Sequence, residues 1–131
     1  MQTTTPKTAA QLVSEAKQHI ENLTAEQVAG ELAAGQTLLV DVREAEERTP
    51  GGAIPGAVHA PRGMLEFYAD PASPYHRAEF DPARRTILYC ASGGRSALAV
   101  EALERLGYIS VAHLDGGFRA WTANGHEVQH P

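Results

Sequence analysis

The chain's one cysteine stands where a nucleophile could be activated. Cys90 ends the short apolar run Thr86-Ile87-Leu88-Tyr89-Cys90, which reads as a strand. Ala91-Ser92-Gly93-Gly94-Arg95 follows, and a helical pattern is in place by Ser96. Open α/β sheets bind ligands beyond the carboxyl ends of their strands. A helix start presents unpaired N–H groups and the positive end of a dipole. Gly93 and Gly94 let the backbone curl so that its amides form an anion nest. Arg95 adds a planar cationic fork suited to an oxyanion. All of this favours thiolate over thiol at Cys90 and predicts a depressed pKa. The same cradle would hold an anionic substrate against the sulfur. A lone strand cysteine is ordinarily a small buried hydrophobe; two glycines, an arginine and a helix start within six residues argue against that here.

These residues need an α/β scaffold, and the rest of the chain supplies one. Residues 8–22 read as an amphipathic helix with Leu12, Val13, Ala16 and Ile20 on one stripe. Residues 25–34 read as a second helix, stopped by Gly35. Thr8 with Gln11, and Thr24 with Gln27, have capping-box spacing. The first helix packs on the core or on a partner; the second packs on the core. Residues 37–42 form an apolar run without alternation, which suits a strand buried on both faces. One helical turn is expected over residues 44–48, a short strand over 58–60 and a short helix over 64–69. Residues 70–85 carry three prolines and read as a surface connection. A helix over 96–106, a strand over 111–114 and a helix over 118–123 complete the pattern. Strands alternating with helices predict an α/β domain with a mostly parallel sheet and helices on both faces.

Composition removes several functional classes. The 131 residues make one domain, and 43% hydrophobic content is ordinary for a globular protein. The net charge of −5 argues against nucleic-acid binding, which needs a clustered basic face. No apolar run has the roughly 20 residues that span a bilayer, so no membrane role is expected. With one cysteine, an internal disulfide and a cysteine-rich zinc site are excluded. The Thr-rich start has no apolar signal core. Together with the single thiol, this predicts a cytoplasmic protein. Two Lys against nine Arg, in an Ala-rich chain, hint at a GC-rich bacterial genome.

Four ordered segments carry a resemblance to a known family. Asp41-Val42-Arg43-Glu44, Ile54-Pro55-Gly56-Ala57-Val58, Cys90-Ala91-Ser92-Gly93-Gly94-Arg95-Ser96, and Asp115-Gly116-Gly117-Phe118 with Trp121 together resemble the signatures of a single-domain rhodanese. The resemblance implies a three-layer α/β/α rhodanese-like domain over residues 23–131. Residues 1–22 form an N-terminal extension with an extra helix. It also implies a ping-pong sulfurtransferase. The Cys90 thiolate takes the outer sulfur of thiosulfate or a persulfide, and a thiophilic acceptor such as cyanide or a thiol then removes it. By the same resemblance, the amides of Ala91, Ser92, Gly93, Gly94 and Ser96 cradle the persulfide and Arg95 binds the donor's sulfonate. The Ser96 hydroxyl bonds to the sulfur or caps the helix. No metal and no organic cofactor is implied. The partners are a small-molecule sulfur donor and acceptor, with a sulfur-relay protein as a further option. Many members of the family carry a basic residue directly after the cysteine; this chain has Ala91, leaving less positive charge for thiosulfate.

Alternatives from other classes stay open. One is a persulfide carrier or regulatory module acting with a protein partner. Another is a phosphatase or arsenate reductase of the same fold. Those relatives use one loop residue more than the four between Cys90 and Arg95 here, and no general acid stands in this loop. A redox sensor would need an exposed thiol and an external resolving thiol.

Asp41 and Arg43 either brace the catalytic loop by a charge-assisted bond or form a local structural ion pair. Arg62 is either a second anion contact at the pocket mouth or a solvated loop residue. Met64, Leu65, Phe67 and Tyr68 either form an apolar lip over the pocket or pack locally. Trp121 is expected to anchor the last helix. Glu44, Glu46 and Glu47 read as a solvated helical face. His59 and His113 read as ordinary strand-end residues, and His126 and His130 as solvent-facing.

Overall fold

A computed structural model of the chain describes residues 5–131. Five short strands form a parallel sheet: β1 (Glu21–Leu23), β2 (Leu38–Asp41), β3 (Val58–His59), β4 (Thr86–Tyr89) and β5 (Val111–Leu114). Their spatial order is β1-β5-β4-β2-β3, so β4 is central. Six helices surround the sheet: α1 (Ala9–Lys17), α2 (Ala25–Ala34), α3 (Ala45–Gly51), α4 (Leu65–Ala69), α5 (Gly94–Arg105) and α6 (Gly117–Ala123). A 3-10 turn, Arg62–Met64, leads into α4.

Strand alternation sorts the core into two layers. Leu38, Val40, Leu88, Cys90 and Val111 pack with residues of α1, α4 and α5. Leu39, Ile87, Tyr89, Ala112 and Leu114 face the other way and pack with α2, α6 and Ile54. This is the expected α/β/α sandwich with a parallel sheet.

Both capping boxes form, Thr8 with Gln11 and Thr24 with Gln27. Gly35 closes α2 in the left-handed conformation at φ 84°. The first helix departs from expectation: it ends at Lys17 instead of running to residue 22. The Asn22 side chain donates to the carbonyls of Lys17 and Ile20, satisfying groups that a continuing helix would have used. Residues 21–23 then add β1 to the sheet, pairing with β5. The segment packs on this same chain: Val13 and Ala16 join the core beside α5.

Candidate active site

The loop between β4 and α5 wraps around the cysteine sulfur. The backbone N–H of Gly93 donates to Cys90 Sγ at 3.1 Å, and that of Ser96 at 3.4 Å. The Ser96 Oγ lies 3.5 Å from the sulfur. Gly93 makes the curl possible at φ 105°, a conformation that L side chains rarely adopt. The helix begins at Gly94, two residues before the expected Ser96, so Ser96 sits inside its first turn. Burial by itself would push the Cys90 thiol pKa up. The amides of Ser96, Gly93 and Ser92 work against it, and the thiol pKa falls below its ordinary value. Cys90 is only 1% exposed. The sulfur is therefore the floor of the loop, enclosed by its amides.

Helix α6 and helix α1 hold the loop from two sides. Phe118 N–H donates to the Cys90 carbonyl at 2.8 Å, and Arg119 N–H to the Ala91 carbonyl at 3.1 Å. Gly117 has to be glycine: a Cβ there would lie 2.6 Å from the Ala91 and Ser92 backbone. From α1, Val13 reaches 3.8 Å from a Cβ placed on Gly94. Lys17 pairs with Asp115 at 2.8 Å beside Gly93.

Arg95 is not a free fork. Glu47 on α3 takes both its terminal nitrogens, at 2.7 and 2.9 Å. Glu47 is therefore not the solvated acid of the sequence reading, and the Arg95 bond pulls its carboxyl down to about 2. Glu47 also accepts from the Glu44 N–H at 3.0 Å. The signal for it lay in topology: β2 and β4 are neighbours, so residues leaving β2 face the loop leaving β4.

Asp41 and Arg43 are buried together and make no hydrogen bond to the loop. Arg43 Nε and Nη2 donate to Asp41 at 3.0 and 2.9 Å, and Nη2 also donates to the Gly52 carbonyl at 2.7 Å. Arg48 and the Tyr89 hydroxyl complete the carboxylate's shell, at 3.0 and 2.8 Å. Burial would raise the Asp41 pKa, yet the Arg43 bonds hold it below its usual value. The pair reaches the loop only through neighbours. Tyr89 precedes Cys90, and Arg43 lies 4.4 Å over the Phe118 ring.

Arg62 pairs with Glu66 at 2.7 Å along its own turn. Leu65 is buried, while Tyr68 packs under Arg77 and the exposed Phe67 meets Tyr75 edge to face. Trp121 anchors α6 as expected, 4% exposed, donating to the Glu127 carbonyl. His126 stacks on it with centroids 4.5 Å apart and so leaves the solvent-facing role expected of it. His59 Nε2 bonds the Arg43 carbonyl. His113 is fully buried and touches Ser96 Oγ at 2.8 Å, a contact that the reading of it as an ordinary strand-end residue missed. A cleft of 230 Å³ bordered by Arg48, Ile54 and Gln129 holds none of the loop residues. Converging donors, not volume, mark this site.

The family model for the rhodanese-like domain matches residues 24–124. The chain belongs to the rhodanese-like domain family. The putative sulfur carrier protein YrkF of Bacillus subtilis is 33% identical over 84 residues, 64% of this chain and 40% of that one. The chain thus matches less than half the length of this curated relative. A Rhodopseudomonas palustris protein of unknown function, described as a possible tyrosine phosphatase, superposes with TM-score 0.89 at 37% identity, covering 98% of this chain and 99% of that one. A thiosulfate sulfurtransferase from Pseudomonas aeruginosa superposes with TM-score 0.74 at 31% identity, covering 91% of this chain and 22% of that one. At the level of the rhodanese-like family, the putative sulfur carrier and the thiosulfate sulfurtransferase support sulfur transfer in general. Among the described residues, no helix is long and apolar enough to cross a membrane.

Proposed function

We propose that the protein is a sulfurtransferase that carries sulfane sulfur on Cys90. The carrying observation is the convergence of the Gly93 and Ser96 amides on one sulfur whose pKa lies below the ordinary value. The Cys90 thiolate attacks the outer sulfur of thiosulfate or a persulfide. The donor's S–S bond breaks, sulfite or a thiolate leaves with the electron pair, and a Cys90 persulfide remains. An acceptor thiol or cyanide then attacks the outer sulfur and releases the thiolate. The loop amides stabilise negative sulfur in both states. Arg95 meets the sulfonate end of the donor once it exchanges Glu47 for it. No step needs a metal or an organic cofactor. Asp41 and Arg43 support the site through Tyr89 and Phe118.

The test is the intact mass of the reduced protein after incubation with thiosulfate. A gain of one sulfur atom, reversed by cyanide and absent in a folded Cys90→Ser variant, is expected. No gain in the wild type from thiosulfate or from a persulfide donor, or a gain that survives Cys90→Ser, refutes the proposal.

A second reading, a persulfide carrier loaded by a protein partner, is favoured by the sulfur carrier among the relatives. It predicts sulfur uptake from a persulfidated protein and little from thiosulfate. Phosphate ester hydrolysis is disfavoured by the acid beside the loop. Lys17 holds the Asp115 carboxyl below its usual pKa, so Asp115 has no proton to give a leaving group at neutral pH.

A further inference from the structure

Behind the sulfur lies a hydrogen-bonded row that sulfur transfer does not by itself require. Cys90 Sγ meets Ser96 Oγ at 3.5 Å, and Ser96 Oγ meets His113 Nδ1 at 2.8 Å. His113 Nε2 in turn meets Asn22 Oδ1 at 2.8 Å. The sheet register builds this row: Asn22 pairs with His113, and His113 with Leu88, two residues before Cys90 on the same face.

Donor accounting fixes every proton in it. Both Asn22 amide hydrogens go to backbone carbonyls, those of Lys17 and Ile20, so its Oδ1 can only accept. His113 Nε2 must therefore carry a hydrogen. Burial drops the His113 pKa to about 4, which leaves the ring neutral and its Nδ1 a bare acceptor. The Ser96 hydroxyl has one hydrogen, and Nδ1 takes it. What Ser96 then shows the sulfur is a lone pair.

We propose that His113, locked in one tautomer by Asn22, is a positioning residue that claims the Ser96 hydroxyl proton and so presents Ser96 to Cys90 as an acceptor. This rests on the reading of Cys90 as the sulfur carrier. The arrangement withholds from the thiolate a bond it would otherwise gain. If Ser96 turned to the sulfur, a buried imidazole nitrogen would lose its partner, which offsets the gain. The consequence is a more basic sulfur. Basic thiolates are stronger nucleophiles, whereas acidic ones are better leaving groups. His113 thereby favours loading of Cys90 over discharge.

The cysteine is the chain's only one, so its titration can be read directly from the pH dependence of iodoacetamide alkylation. The charges around the row are Arg95 held by Glu47, and Lys17 paired with Asp115; the variants leave all four in place. His113→Leu frees the Ser96 proton and leaves Asn22, which is exposed, to water. Asn22→Ala releases the tautomer lock from a position that touches neither sulfur nor loop. Each is expected to lower the Cys90 midpoint by about one pH unit, the size of one charge-assisted hydrogen bond gained. The high-pH alkylation rate should fall about threefold with it. In a Ser96→Ala background, His113→Leu should produce no drop. An unchanged or raised midpoint in both single variants overturns the proposal, as does a drop that persists without Ser96. If His113→Leu does not fold, Asn22→Ala decides. Sulfur uptake from thiosulfate and from a persulfide donor is measured separately by intact mass. A shifted titration without uptake would overturn the functional reading alone; uptake with an unshifted titration would overturn the role of His113 alone.

Discussion

Glu47→Gln should make the protein a better acceptor of anionic donors. In the structure the Glu47 carboxylate occupies the Arg95 fork with two bonds, at 2.7 and 2.9 Å. A sulfonate seeking the same fork must displace it. The pair is 41% and 34% exposed on its two sides, so solvent screening limits its worth to about 1 kcal/mol. Removing that competition should lower the apparent dissociation constant for thiosulfate by up to about fivefold. An uncharged organic polysulfide does not use the fork and should show no gain. The Glu47 carboxyl is lowered from 4.5 to about 2, so it stays ionised throughout neutral and mildly acidic pH. Its competition is full above 4.5 and is relieved only as pH falls through about 2. The gain should therefore be flat across ordinary assay pH. The assay is steady-state transfer to cyanide with each donor in turn, and Arg95→Ala serves as the opposite control, losing thiosulfate more than polysulfide. A fall in kcat/KM for thiosulfate in Glu47→Gln would refute the reasoning, because it would mean that Glu47 aims Arg95 rather than occupies it. An equal gain with both donors would refute it too, since the effect would then not pass through the fork.

Two structural perturbations test the frame. Asp41→Asn strips the fully buried Arg43 of its counter-charge and should cost about 3–5 kcal/mol in denaturant unfolding. Because the Asp41 pKa is depressed in the fold, its stabilisation is complete above the ordinary value of 3.8 and is lost as pH falls below that; the variant should lack this share of the acid limb. Gly117→Ala forces a Cβ to 2.6 Å from the loop backbone at φ +64°, and should cost at least about 1–3 kcal/mol while raising the Cys90 alkylation midpoint. Gly107→Ala is the control: φ is +98° but no atom lies within 4 Å, so stability should drop with the thiol titration unchanged.

The parts of the fold readable from sequence are those whose cause is local. Helix α2 was legible at both ends because Thr24 with Gln27, and Gly35, each act within one turn. The same holds for the cysteine loop, whose glycines, arginine and helix start lie within six residues. Strand β1 was not legible. It is three residues long, two of them polar and exposed, and the helical stripe of Leu12, Ala16 and Ile20 runs straight into it. No glycine or proline ends that stripe; Asn22 does so by folding its side chain back on Lys17 and Ile20. Glu47 and His113 escaped for a related reason. Each gains its meaning from a strand neighbour far away in sequence, Glu47 through the β2–β4 pairing and His113 through the β4–β5 register. Side-chain type narrowed neither: an acid in an acidic turn and a histidine at a strand end are most often inert.

The segment ahead of the family match contributes more to this site than its place in the sequence suggests. The match begins at residue 24. Yet Val13 packs against the first turn of α5 at Gly94, and Lys17 neutralises Asp115 beside Gly93. Asn22 fixes the imidazole that holds the Ser96 hydroxyl. Three contacts from residues 13–22 thus reach the loop around Cys90 or the residues beside it: one apolar, one ionic and one directional. An appended helix that merely covered apolar surface would need only the first of them. The ionic contact matters because an unpaired Asp115 beside Gly93 would oppose a thiolate and any anionic donor. The directional contact matters because a buried imidazole without Asn22 could take either tautomer, and Ser96 would then be free to turn. The loop supplies the amides that make Cys90 acidic; the segment before it limits how acidic the sulfur becomes.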